Sequence, residues 1–241
     1  PRSTLFPYTT LFRSRHGKPV RLDPGAFTEL AYQVPTLDAG TVLSEVGLVV
    51  SGPDAGNWEG TLLLDWLDWS GHPSVVYDFS NAASPWGGLS QWTFLRGFWR
   101  LEDGACHGSG VSINEAYTGD VDWDNLTLTV RLVPLVGEYH NCAVRVQGAL
   151  RSYVVGFGPN QQLILYKNAD GYRPMARKNF AWEYGKAYDL SVTAEGNAFV
   201  VQVNGEVLLA WVDHEEPYLH GQIGLSNFCG CHTRYESVKV S

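Results

Sequence analysis

The sequence predicts an all-β fold, a sandwich of antiparallel sheets, and three observations carry that expectation. Several segments alternate apolar and polar residues with the period of two that a half-buried strand requires. Those segments are joined by turn chemistry rather than by helical connections. The composition, with nine Trp, twelve Tyr, ten Phe and 26 Gly against 17% charged residues, favours strands and turns over helices. No window of about a dozen residues carries a helical apolar stripe free of Gly, Pro or strand-like alternation.

Taken in chain order, Phe27–Val34, Val42–Ser51 and Thr61–Trp69 read as three strands upstream of a boundary near Gly71-His72-Pro73. Three strands cannot bury both faces of a sandwich. Residues 15–72 therefore read as an incomplete β-domain and residues 73–241 as a complete one. In the second block, Leu126, Leu128, Val130 and Leu132 alternate with Thr127, Thr129 and Arg131. Tyr188, Leu190 and Val192 alternate with Asp189, Ser191 and Thr193, and Phe199, Val201 and Val203 with Val200, Gln202 and Asn204. Asn204-Gly205 signals a two-residue type I′ hairpin into Val207–Trp211. Asn168-Ala169-Asp170-Gly171 closes a second hairpin between Leu163–Lys167 and Tyr172–Arg177.

The net charge of −8, with no basic run, argues against nucleic-acid or anionic-membrane partners, because phosphate contacts need clustered Lys and Arg. No apolar stretch approaches the roughly 18 residues of a membrane span. The four cysteines are too few for a disulfide scaffold at this length. Cys142 sits in an apolar strand and reads as a small buried hydrophobe. Cys229-Gly-Cys231 has CxC spacing with no second pair at zinc-like distance, which favours a structural reading.

Thr4–Ser14 reads TLFPYTTLFRS, which matches, residue for residue, the translation of a short-read sequencing adapter. Residues 1–14 are accordingly expected to have no packed role. Protein-derived sequence is expected to start at about Arg15 and to lack whatever preceded it, including any catalytic domain.

Residues 75–241 carry a recurring set of motifs. They are Val76-Tyr77-Asp78-Phe79, then Trp92, then Gly97–Gly104, then Ala143–Gly148 followed by Arg151-Ser152-Tyr153. Val203-Asn204-Gly205 and Gly221–Leu225 close the set. In that order they resemble the concanavalin A-like jelly roll of the laminin-G and legume-lectin superfamily. Further segments extend the resemblance upstream: Phe27–Leu30 with Val34-Pro35, Glu45–Leu48, Leu64–Gly71, Arg145–Gly148 and Phe180–Gly185. Together these are similar to the region after the catalytic domain in large bacterial ADP-ribosylglycohydrolase-family proteins. The resemblance implies a partial jelly roll of galactose-binding type, followed by a concanavalin A-like sandwich. It also implies an accessory role beside a hydrolase domain on the same chain. The acidic metal-ligand motifs of that family's helical catalytic domain do not occur here, so its activity is not implied.

The candidate chemistry is then a matter of faces. With Leu126, Leu128, Val130, Cys142, Val144 and Val146 towards the core, Thr127, Thr129, Arg131, Asn141, Arg145 and Gln147 are expected to share the opposite, concave face. Tyr153 and Lys167 would join them from the next strands. Arg131, Asn141, Arg145, Gln147, Tyr153 and Lys167 are thus the candidate ligand-binding residues. Aromatic rings with Arg, Asn and Gln suit a glycan, whose C–H faces pack on rings and whose hydroxyls take bidentate hydrogen bonds. An ordinary solvated sheet face fits the same alternation.

Asp120, Asp122 and Asp124 place three carboxylates at a spacing of two, a possible calcium loop. Asn125 and Arg131 stand where the EF-hand pattern needs Gly and Glu, and a solvated acidic turn explains the same residues. No cofactor is otherwise expected. Glycosidases on this type of scaffold carry carboxylates at period two along one strand. Glu102-Asp103 and Glu215-Glu216 are adjacent pairs and lack that spacing. A non-catalytic glycan-binding module is the leading expectation. A glycosidase and a purely structural domain packed on a catalytic partner are the alternatives.

Overall fold

The computed structural model describes residues 18, 20–23, 25–34, 47–50, 61–67, 72–79 and 91–241. Thr4–Ser14 lies outside the described residues. The chain divides into two units, Pro1–Ser44 and Glu45–Ser241. In the first unit Phe27–Val34, expected as a strand, is in none. A strand needs a hydrogen-bonded neighbour, and no described residue pairs with this segment. In the second unit the described parts of the next two expected strands, 47–50 and 61–67, are likewise outside any strand. Their apolar side chains are open to solvent, Leu63 by 86%.

The rest of the second unit is all strand and turn, with no helix among the described residues. Fifteen strands follow in order: β1 Val75–Asp78, β2 Thr93–Arg96, β3 Phe98–Glu102, β4 Ala105–Ser109, β5 Asn114–Thr118, β6 Leu126–Val136, β7 His140–Val146 and β8 Arg151–Gly158. β9 is Gln162–Ala169, β10 Tyr172–Asn179, β11 Tyr188–Glu195, β12 Ala198–Val203, β13 Glu206–Val212, β14 Gln222–Asn227 and β15 His232–Val240. They form two antiparallel sheets. One runs β13-β12-β11-β6-β15-β4-β3, with β1 also on β15; the other runs β10-β9-β8-β7-β14-β5-β2.

The expected hairpins are present. Asn204 (φ 52°) and Gly205 (φ 83°) make the tight turn between β12 and β13, the two positive angles a type I′ turn requires. Asp170 and Gly171 turn β9 into β10. Between the sheets lies the main core, with Leu128, Val130, Leu132, Val144, Val155, Leu165, Leu190 and Val201 all buried. Burial of such side chains is the main driving force for the fold, at roughly 1.5–3 kcal/mol each. Cys106 and Cys142 lie in this core, and burial pushes both thiols up to about 12.

A second apolar cluster lies on the other side of the seven-stranded sheet: Tyr117, Ala143, Val146, Val154, Ile164, Tyr166 and Phe228, with Tyr139 and Tyr172 packed on it. That sheet is therefore apolar on both faces, and its outer face is covered by its own side chains.

The expectation that six candidate residues share one face needs correction. β6 belongs to the eight-stranded sheet and β7 to the seven-stranded one. Gly137 (φ 82°) turns the chain from one layer to the other between them. Arg131 consequently lies on the outer face of the eight-stranded sheet. It bonds Asp189 at 3.0 Å and Glu236 at 2.9 Å, beside the cross-strand pairs Thr127–Thr193 and Thr129–Ser191.

Candidate functional site

Along β7 the alternation holds from His140 to Val144 and then breaks. Gln222 pairs with Val146 and Gly224 with Ala143, so Val144 and Arg145 together oppose the single Ile223. This is a β-bulge, and Arg145 takes the left-handed conformation (φ 53°) at its centre. The extra residue inverts the faces beyond it. Val146, expected inside, joins the outer cluster. Arg145, expected on the ligand face, is fully buried at the end of the sandwich. Its guanidinium donates to the carbonyls of Leu219, Ala194 and Gly196 and to Asn125 Oδ1. Burial pulls Arg145 below its ordinary value, with Asp124 opposing. Arg145 is a clamp on three loops through Nη1 and Nη2, while its buried Nε has no partner among the described residues.

Three other candidates are also engaged internally. Tyr153 lies in the main core, with its hydroxyl 2.5 Å from Asp213 Oδ2. Lys167 Nζ lies 2.7 Å from the same oxygen and also donates to the Glu215 and Glu216 carbonyls. Both residues point inward because they follow the alternation of Val155 and Leu165, the core side of β8 and β9. Lys167 forms the floor of an open cleft of about 510 Å³ at the sandwich end, lined also by Arg173, Met175, His214 and Tyr218. All three of its ammonium donors are taken within the protein. Gln147 donates to the His220 carbonyl and accepts from Arg151.

Asp120, Asp122 and Asp124 form a turn. Asp120 Oδ1 accepts the Asp122 N–H at 3.1 Å and Asp124 Oδ1 the Asn125 N–H at 2.6 Å. Among the described residues no group of three His, Cys, Asp or Glu side chains is placed to hold a metal ion.

Asn141 is the candidate that occupies the outer face of the seven-stranded sheet. In register across the strands it faces Ser226 on β14, and Ser226 faces Glu115 on β5. On its other side lies Gly156 on β8, where a Cβ would sit 2.4 Å from Asn141 Oδ1. Glu115, Ser226 and Asn141 thus form one polar row over three adjacent strands, spanning about 10 Å at the usual strand spacing. The row ends at the bare backbone of Gly156. All three side chains are at most 1% exposed.

The row is unusual in its hydrogen bonding. Asn141 Nδ2 and Oδ1, Ser226 Oγ, Ser152 Oγ and Tyr117 Oη are buried and have no hydrogen-bond partner among the described residues. All five atoms belong to residues on this one face; the other three such atoms among the described residues, Trp92 Nε1, Arg145 Nε and Arg234 Nε, lie apart from it. An unpaired buried polar atom costs about 1–3 kcal/mol, so such a cluster marks a place where partners are expected from outside.

Glu115 is held from two directions. Arg96 donates through Nε at 3.2 Å and Nη2 at 2.9 Å, both to Oε2. Tyr172 donates its hydroxyl to Oε1. Tyr172 is on β10, five strand spacings from β5, a separation of about 24 Å in a flat sheet. Two side chains cannot bridge that gap, so the sheet curves strongly towards this face, which is the concave one. Burial, and then the Glu115 carboxylate, push the Tyr172 and Tyr117 phenols up, so both are protonated donors. Phe228 packs on Tyr172 at 4.7 Å and on Tyr166 at 6.2 Å, and Tyr139 on Phe228 at 5.8 Å. The polar row on the concave face is therefore flanked by aromatic rings, and Tyr172 reaches across to Glu115.

Sequence alternation does not single out Glu115, Tyr172 or these aromatic rings as site residues. One sequence signal points to the face: β7, β8 and β9 carry apolar residues at both parities, as in Val154-Val155 and Leu163–Tyr166. Strands apolar on both sides imply that both sides are covered.

No protein-family model matches the chain, and no curated protein sequence does. Solved structures do match in fold. The carbohydrate binding module CBM66 from Bacillus subtilis superposes with a TM-score of 0.58 at 16% identity, covering 63% of this chain and 95% of that one. A Bacillus subtilis protein of unknown function with a galectin-like fold gives 0.57 at 13% identity, covering 68% and 93%. A prokaryotic β-1,3-1,4-glucanase (lichenase) from a mouse hindgut metagenome gives 0.54 at 15% identity, covering 70% and 98%. The shared feature is the jelly-roll sandwich, found in binding modules and glycosidases alike.

Proposed function

We propose that this chain is a carbohydrate-binding module without catalytic activity of its own, and that a sugar seats on the concave face of the seven-stranded sheet. The observation that carries the reading is the convergence of five unpartnered buried polar atoms with Glu115 on one face flanked by aromatic rings. A sugar supplies what that face lacks: hydroxyls that donate to Glu115 and Asn141 Oδ1 and accept from Asn141 Nδ2, with C–H faces for the rings. The fold shared with a carbohydrate binding module supports the same class of ligand.

The chemistry of the sheet supports binding over hydrolysis. Glycosidases of the usual kind need two carboxyl groups flanking the bond, about 5–10 Å apart. Glu115 is the single acidic residue in the seven strands of the concave sheet, and Arg96 and Tyr172 already engage it. The segments Leu64–Gly71 and Phe180–Gly185 support the finer reading that the module accompanies a hydrolase domain of ADP-ribosylglycohydrolase type on a longer chain. Recovering the flanking gene sequence tests that part.

The binding reading is tested by screening the full chain against an immobilised panel of plant, fungal and bacterial glycans. Saturable binding to a restricted set is expected, with no new reducing ends on prolonged incubation. A panel with nothing above background would overturn the binding reading. Release of reducing ends would overturn the non-catalytic one.

A further inference from the structure

Tyr172 stands in the way of any ligand that uses the polar row. Its hydroxyl is already on Glu115 Oε1, the oxygen that Arg96 leaves free by taking Oε2. Its ring packs on Phe228, so the side chain crosses the trough and closes it. A phenol on a carboxylate makes the same contact as a sugar hydroxyl on a carboxylate, and the ring fills the volume a pyranose or furanose would fill.

The segment that carries Tyr172 lies at the edge of the seven-stranded sheet. β10 is an edge strand, hydrogen-bonded to β9 alone. Its pairing is broken between Pro174 and Ala176, which leaves Met175 unpaired, and Pro174 has no N–H to donate. Tyr172 directly follows the turn residues Asp170 (φ 55°) and Gly171 (φ 136°), and a Cβ at Gly171 would meet nothing within 4 Å. β10 is thus an eight-residue edge strand with one break in its pairing, and edge strands open before central ones.

We propose that Tyr172 is an internal ligand of the concave site: its phenol occupies the place of a sugar hydroxyl on Glu115, and a ligand enters by displacing it. The proposal rests on the sugar-binding reading of the same face and specifies its ligand. The row from Glu115 through Ser226 to Asn141 spans about 10 Å, longer than a single sugar ring. The site takes a neutral sugar whose hydroxyl replaces the Tyr172 phenol on Glu115.

Two readouts test the latch separately from the sugar. The first uses the full chain with Ser226→Cys in a Cys229→Ser background, because Cys229 is the exposed thiol and the other three cysteines are buried. Alkylation by iodoacetamide is timed with Tyr172 intact, with Tyr172→Phe and with Tyr172→Ala. The rate is expected to rise several-fold in Tyr172→Phe, which loses only the Glu115 contact, and more than tenfold in Tyr172→Ala. An unchanged rate in Tyr172→Ala overturns the latch.

The second readout is calorimetric titration of the wild type and Tyr172→Phe with D-galactose, D-glucose, D-mannose and D-fructose. At least one sugar is expected to bind Tyr172→Phe about tenfold more tightly, since it no longer competes with the phenol. Equal affinity in both chains overturns the latch and leaves the sugar site standing. Faster alkylation with no binding of any monosaccharide supports the latch and counts against the sugar reading.

Discussion

Lys167 Nζ lies 2.7 Å from Asp213 Oδ2 at the end of the sandwich, with the Lys167 side chain 11% exposed and that of Asp213 1%. Burial alone would push the Asp213 carboxyl up. Hydrogen bonds from Lys167, Tyr153 and the Glu215 N–H outweigh it and hold the group below its ordinary value. Removing one partner of such a pair leaves the other as a buried uncompensated charge, at a cost of about 3–5 kcal/mol. Asp213→Ala should therefore lower stability by about that amount in urea unfolding. Lys167→Met should cost less, because Tyr153 and Glu215 still bond the carboxylate. Equal and small losses for both would show that the pair is solvated.

Acid should weaken the fold at His140. Its Nδ1 is 2.8 Å from Thr233 Oγ1 and its Nε2 2.8 Å from the Gly137 carbonyl, so the neutral ring donates from Nε2 and accepts at Nδ1. Burial pulls the imidazole down to about 4 from 6.5. Between these values the unfolded chain binds the proton and the folded chain does not. Stability is therefore full above about pH 6.5, falls as pH drops to about 4, and changes no further from this group below that, a loss of about 3 kcal/mol. The pair His107 and His232, 2.9 Å apart and both lowered chiefly by burial, acts in the same direction. Urea midpoints at pH 7 and pH 4.5 check this, with His140→Gln expected to show a clearly smaller drop than the wild type.

Arg145 makes the bulge worth its strain. A non-glycine residue in the left-handed region costs of the order of 1–3 kcal/mol. The guanidinium offsets this by tying the loops at Asn125, Gly196 and Leu219 to β7. Arg145→Met removes every one of those donors and should destabilise by about 3 kcal/mol or more. Arg145→Lys should rescue little, because one ammonium cannot reach three loops. A loss of binding in an Arg145 variant would then report unfolding, so thermal melting must accompany any binding measurement.

Much of this architecture was legible in the residues. The alternation of Leu126–Leu132, Tyr188–Val192 and Phe199–Val203 identified strands and their inward faces, and Asn204-Gly205 identified a hairpin. Alternation separates inside from outside, but it does not say in which layer a strand lies. Alternation alone therefore groups Arg131 with Asn141, although they belong to different sheets. Nor does it reveal a bulge, since Ala143-Val144-Arg145-Val146 reads as a regular strand until the partner at Ile223 is known. Tyr153 and Lys167 were misplaced for a related reason. A Tyr or Lys at a core parity reads as a surface residue until Asp213, some 46–60 positions away, is seen beneath it. Glu115 and Tyr172 meet only because the sheet curves, and curvature over five strands has no local signature.

The most direct test of the account is the affinity of Asn141→Ala and Arg131→Ala for the tightest-binding glycan of the panel. Asn141 has two unpartnered atoms on the concave face, whereas Arg131 lies on the opposite sheet in exposed ion pairs of small energetic weight. A sugar on the concave face predicts at least a tenfold loss in Asn141→Ala with its melting temperature retained, and unchanged affinity in Arg131→Ala. Full affinity in Asn141→Ala, or a comparable loss in Arg131→Ala, would contradict a sugar site on the concave face.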